Sequence, residues 1–69
     1  MNNLEKLIHK AAANGCRIQM RYDPSEPGEE WGIKYYPEDD DDAHFYAYHV
    51  DLDSAARQIL DELKGFPAW

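Results

Sequence analysis

Apolar side chains recur at two different spacings along this chain. Leu4, Leu7, Ile8, Ala11 and Ala12 return every three or four positions, which predicts an amphipathic helix over 2–14. Asn2 with Glu5 three residues later is a capping pair, and Asn14-Gly15 is a stop signal. From residue 16 the period drops to two. Cys16, Ile18, Met20 and Tyr22 point one way and Arg17, Gln19 and Arg21 the other, as in a half-buried strand.

"DPSEPGEE" (23–30), with two prolines and a glycine, reads as a turn-rich loop. A second strand alternates Trp31, Ile33 and Tyr35 with Gly32, Lys34 and Tyr36 until Pro37 ends it. An acidic run forms the next loop. In the third strand, His44 to Val50, either Phe45 and Ala47 or Tyr46, Tyr48 and Val50 could face inward. The first choice is favoured, because a small residue lets a helix approach the sheet. Asp51 then caps a second helix with an apolar stripe of Leu52, Ala55, Ala56, Ile59, Leu60 and Leu63. Gly65 ends that helix and Pro67 prevents its return.

The expected fold is therefore α+β, in the order α-β-β-β-α. Short connections favour a three-stranded antiparallel meander with both helices packed on one face. A chain of 69 residues makes one domain, 1–69, with no room for a second core. Domains this small bury only about 60% of the surface their unfolded chain exposes, so modest stability is expected. The apolar share of 43%, with nine aromatic side chains, still argues for a folded core. The lone Cys16 excludes an internal disulfide and suits a reducing cytoplasm. Glu5, Lys6, His9 and Lys10 interrupt the N-terminal apolar positions, against a signal-peptide core or membrane span. A soluble cytoplasmic monomer is expected.

Charge changes the picture. The net charge is −7, and its distribution is uneven: residues 23–53 carry eleven acids against the single base Lys34. The meander sorts these acids to two ends of the sheet. Asp23, Glu26, Glu29, Glu30, Asp51 and Asp53 belong to one end, and Glu38, Asp39, Asp40, Asp41 and Asp42 to the other. A six-residue strand separates the ends by about 20 Å, at 3.3 Å per residue. An extended aspartate run advances at most about 3.3–3.6 Å per residue, close to the phosphate spacing along one strand of duplex DNA. Such a surface would attract a lysine- and arginine-lined groove built for nucleic acid, and the same acids would also serve simply to keep a small protein soluble and monomeric. Mutual repulsion within the run should also raise its carboxyl pKa values.

Other chemistries fare less well. The spaced calcium-loop motif is absent, and adjacent acids rarely converge on one ion, so no metal or other cofactor is assigned. Cys16 lies on an inward strand face. His9, His44 and His49 have no sequence-evident nucleophile or base beside them, so no catalytic residue is assigned and the protein reads as a non-enzyme. The outer sheet face, with Arg17, Arg21, Lys34, Tyr36, Tyr46 and Tyr48, could stack bases. Acidic rims would oppose a phosphate backbone there, and a protein partner suits the face better than direct nucleic-acid binding.

The elements "NNLEKLIHKAAANG", "CRIQMRY", "WGIKYY", "HFYAYHV" and "DLDSAARQILDELKG" span nearly the whole chain. In size, acidity and element order it resembles the small anti-CRISPR proteins that phages encode against type I systems. That resemblance implies a stoichiometric DNA mimic occupying the DNA-binding surface of a CRISPR surveillance complex subunit, inside the host bacterial cell. The rival class is an acidic interaction module, such as an antitoxin or an inhibitor of a basic nuclease.

Overall fold

The computed structural model describes residues 2–38 and 40–65; the expectations placed on Asp39 and Pro67 lie outside them. Asn2 is extended, and its side-chain oxygen accepts the Glu5 N–H at 2.8 Å, which starts α1 (Asn3–Ala13). The helix ends in a Schellman turn. Gly15 takes φ +68°, the Cys16 N–H donates to the Ala11 carbonyl at 2.8 Å, and the Gly15 N–H donates to Ala12 at 3.4 Å.

Three strands follow: β1 (Arg17–Tyr22), β2 (Trp31–Tyr36) and β3 (Phe45–His49), antiparallel in the order β1-β2-β3. Asp51 then accepts the Ser54 N–H at 2.7 Å and opens α2 (Leu52–Leu63). The α+β meander expected from the periodicities is the fold observed, with element ends within about two residues of expectation.

Register divides the sheet into two faces. On the helix side lie the rows Ile18–Tyr35–Phe45, Met20–Ile33–Ala47 and Tyr22–Trp31–His49. The open side carries Arg17–Tyr36, Gln19–Lys34–Tyr46 and Arg21–Gly32–Tyr48. Phe45 and Ala47 are buried, as favoured from the sequence, and Ala47 meets a helix whose Ala55 and Ala56 are also buried. Leu7, Ala11, Ile33, Tyr35, Ile59 and Leu63 complete the core. Tyr35 is fully buried, edge-on to Phe45 at 6.1 Å between centroids. Burial, with a hydrogen bond to Cys16, pushes its phenol above the usual tyrosine range.

The helical layer is not centred on the sheet, and this corrects several expected core positions. α2 packs on β2 and β3, while α1 packs mainly on α2 and touches β1 lightly. Met20 and Tyr22, expected inward, are therefore 46% and 56% exposed. Cys16 and Ile18 pack against the core only partly. On α1, Ile8 is 42% exposed and Ala12 is exposed.

Candidate partner-binding surface

The acids divide as the meander requires, since Tyr22, Trp31 and His49 share one end of the sheet and Arg17 and Tyr36 the other. At the first end, Asp23, Glu26, Glu29 and Glu30 surround an open recess of about 290 Å³ with Arg21, Gly32 and Tyr48. Glu30 Oε1 is buried there without a hydrogen-bond partner among the described residues. Asp51 and Asp53 lie at the same end, on the helical side. The second end holds Glu38, Asp40, Asp41 and Asp42. Glu38 lies over Gly15, where an added Cβ would meet its Cδ at 3.2 Å.

Several of these carboxylates are engaged within the fold. Asp23 accepts the Ser25 hydroxyl at 2.6 Å, the Ser25 N–H at 3.0 Å and Arg21 Nη2 at 3.1 Å. The Ser25 hydrogen bonds, then Arg21, hold its carboxyl below the ordinary value. The Ser54 N–H and hydroxyl do the same for Asp51. Asp53 reaches across to α1, accepting Asn3 Nδ2 at 3.0 Å and the Leu4 N–H at 3.2 Å. It therefore caps α1 from the first turn of α2. Nothing in the local sequence signals this, because its partners lie 49 and 50 positions away.

The aspartate run departs from the extended ruler. The Asp40 N–H donates to the Pro37 carbonyl at 3.3 Å, and the Asp42 N–H donates to Asp40 Oδ1 at 2.9 Å. These bonds draw Asp40 toward Pro37 and Asp42 toward the Asp40 side chain, so the spacing of a fully extended chain does not apply to Asp40, Asp41 and Asp42. His44 Nε2 also meets Asp40 Oδ2 at 2.5 Å. The Asp42 N–H first and His44 second depress the Asp40 pKa, the reverse of the rise expected from crowding. Local donors outweigh repulsion between solvated neighbours at this residue. Asp41 and Asp42 are exposed. Among the described residues, the carboxylates of Glu26, Glu29, Glu38, Asp41 and Asp42 make no hydrogen bond or ion pair.

Between the acidic ends, the open face of the sheet is cationic and aromatic. The Arg17 guanidinium stacks 4.8 Å from the Tyr36 centroid and donates to the Asp40 carbonyl at 3.3 Å. The Tyr36 hydroxyl donates to Gln19 Oε1 at 3.1 Å. Tyr48 covers Gly32 so closely that a Cβ there would lie 2.7 Å from its ring. A second basic surface, not expected from the sequence, lies on the helical layer. Lys6 and Lys10 of α1 line an outer groove with Arg57 and Lys64 of α2, beside Asp61. The i,i+4 spacing of the two lysines was the available signal; the partner helix was not.

No protein-family description, curated protein or solved structure matches this chain. No helix among the described residues is long and apolar enough to cross a membrane. Among those residues, no group of three or more His, Cys, Asp or Glu side chains is placed to hold a metal ion.

Proposed function

We propose that this protein acts by binding, as an inhibitor whose acidic ends occupy a positively charged nucleic-acid-binding groove of a partner protein. The observation that carries this reading is the division of labour among the acids. Asp23, Asp40, Asp51 and Asp53 hold turns and helix caps, while Glu26 and Glu29 at one end and Glu38, Asp41 and Asp42 at the other are exposed and, among the described residues, make no hydrogen bond or ion pair. These two outward sets, about 20 Å apart along the strands, are what a basic groove would meet. A folded rather than extended aspartate loop makes the resemblance to phosphates one of charge clusters, not of a continuous ruler. Following the resemblance, the target we propose is the DNA-binding surface of a type I CRISPR surveillance complex, with a basic nuclease as the rival partner.

The test uses purified surveillance complex and labelled target DNA. The parent protein should compete with DNA. A variant carrying Glu26→Gln, Glu29→Gln, Asp41→Asn and Asp42→Asn should fold normally, since none of these side chains supports the backbone. It should lose on the order of 2–4 kcal/mol of binding, because close interfacial charge pairs are worth about 1.5 kcal/mol or more each. Competition by the variant within about threefold of the parent, under 1 kcal/mol, would exclude an acid-driven interface. If the parent fails to compete but inhibits a basic nuclease, the charge reading stands and the anti-CRISPR assignment falls.

A further inference from the structure

β1 is the least protected element of the fold. Its helix-side residues Met20 and Tyr22 are 46% and 56% exposed. Met20 and Tyr22 leave apolar surface along this margin of the sheet. The backbone of the same margin is also open. The Asp23 N–H donates to the Glu30 carbonyl at 2.7 Å, one step beyond the Tyr22–Trp31 pair. Antiparallel ladders alternate, so Arg17, Gln19 and Arg21 bond to β2. Ile18, Met20 and Tyr22 then direct their N–H and C=O groups outward. The strand has no proline, its register over 17–22 has no bulge, and among the described residues the sheet order leaves it without an outer neighbour. Proline and bulges are among the usual protections of an edge.

We propose that two copies of this chain pair antiparallel through β1 with the two-fold axis at Met20, making a six-stranded sheet with all helices on one side. In that register Met20 faces Met20 of the second copy, and Ile18 faces the second copy's Tyr22, so exposed apolar groups cover one another. The three outward-pointing residues of each strand fall opposite one another, and each such pair exchanges two N–H···O bonds. On the open face Arg17 falls opposite Asp23 of the second copy, and Gln19 opposite its Arg21.

Neighbouring registers fail on specific pairs. A two-residue slide that centres on Gln19 sets Arg17 against Arg21 of the second copy, a like-charge pair that opposes pairing. A slide of one residue sets Ile18 against Arg21 and turns outward backbone groups toward inward ones. The β3 edge offers less, because α2 already covers Phe45 and Ala47. The pairing is independent of the acidic-groove reading, and it replaces the monomer that high net charge suggests.

The experiment is sedimentation equilibrium of the full chain across concentration, with directed cross-linking in a Cys16→Ser background. Met20→Cys should form a covalent dimer on mild oxidation, since it sits on the axis, and Gln19→Cys should not. Met20→Pro removes an N–H that points away from β2, so the monomer should stay folded by circular dichroism. Its dimer dissociation constant should rise about tenfold or more. If Met20→Pro unfolds the chain, Met20→Lys gives the same readout at a side chain that is already half exposed. A chain that stays monomeric at every concentration overturns the proposal. So does a dimer that Met20→Pro and Met20→Lys leave intact, or one that cross-links through Gln19→Cys or through Tyr46→Cys on β3. A dimer abolished by deleting residues 66–69 would name a different interface and overturn it too.

Discussion

Tyr35 and Gly32 lie on opposite faces of β2, and each constrains the chain differently. The Tyr35 phenol is buried with its pKa raised, so the folded state holds that proton more tightly than the unfolded chain does. Its contribution is fully present below about pH 10, the unfolded value, and is lost as pH rises toward the folded one. Denaturant titrations from pH 7 to 11 should show stability falling on the alkaline side, with a shallower fall in Tyr35→Phe. At neutral pH that variant should cost about 1 kcal/mol, the price of one buried hydrogen bond. An unchanged alkaline slope would mean that other groups drive it. At Gly32 the constraint is steric. A Cβ would sit 2.7 and 2.8 Å from two Tyr48 ring carbons. Gly32→Ala should therefore destabilise by about 1 kcal/mol, since overpacking costs roughly 1–3 and this ring can swing toward solvent. In a Tyr48→Ala background the same change should become stabilising by about 0.5–1 kcal/mol, the gain of Ala over Gly inside a strand. A double-mutant cycle with no coupling would refute the contact.

At the level of elements, the caps decide how the acids are to be interpreted. Asp53 ties two helices together by accepting from Asn3 and Leu4 of α1. Asp53→Ala should lower stability by about 1–2 kcal/mol, as loss of a cap does, while leaving partner affinity unchanged once the protein is folded. Affinity that falls with stability intact would return Asp53 to the binding surface. The periodicities identified all five elements, because each carries a regular apolar face with a start or stop residue at its margin. They could not show that the helical layer is displaced toward β3. Met20 and Tyr22 alternate like core residues, and only the lateral position of α1 leaves them uncovered. The candidate site was legible as two charged ends, since the meander alone assigns each loop to an end. Which carboxylates stay outward was not legible. Asp40 and Asp42 are both members of one aspartate run, yet one accepts a backbone N–H and the other donates its own.

For the whole molecule, charge and shape combine. The described residues span about 33 × 28 × 18 Å, so no exposed carboxylate is far from another on the scale of electrostatic screening at low salt. With a net charge of −7, the folded chain carries an excess of like charge that its few internal ion pairs do not neutralise. Antiparallel pairing at β1 would set the 23–30 end of one copy beside the 37–42 end of the other, joining both acidic ends into one rim. Added salt should then act in two opposed ways. It screens repulsion within the protein, so the unfolding midpoint should rise from low ionic strength to about 0.2 M, where the Debye length is already under 10 Å. It also screens attraction to a cationic partner, so affinity should fall over the same range. Sodium chloride compared with an uncharged osmolyte separates screening from general effects on hydration. Parallel melting and binding measurements should give slopes of opposite sign. Affinity that is flat in salt, beside stability that rises, would show that the carboxylates repel one another in this fold without driving its binding.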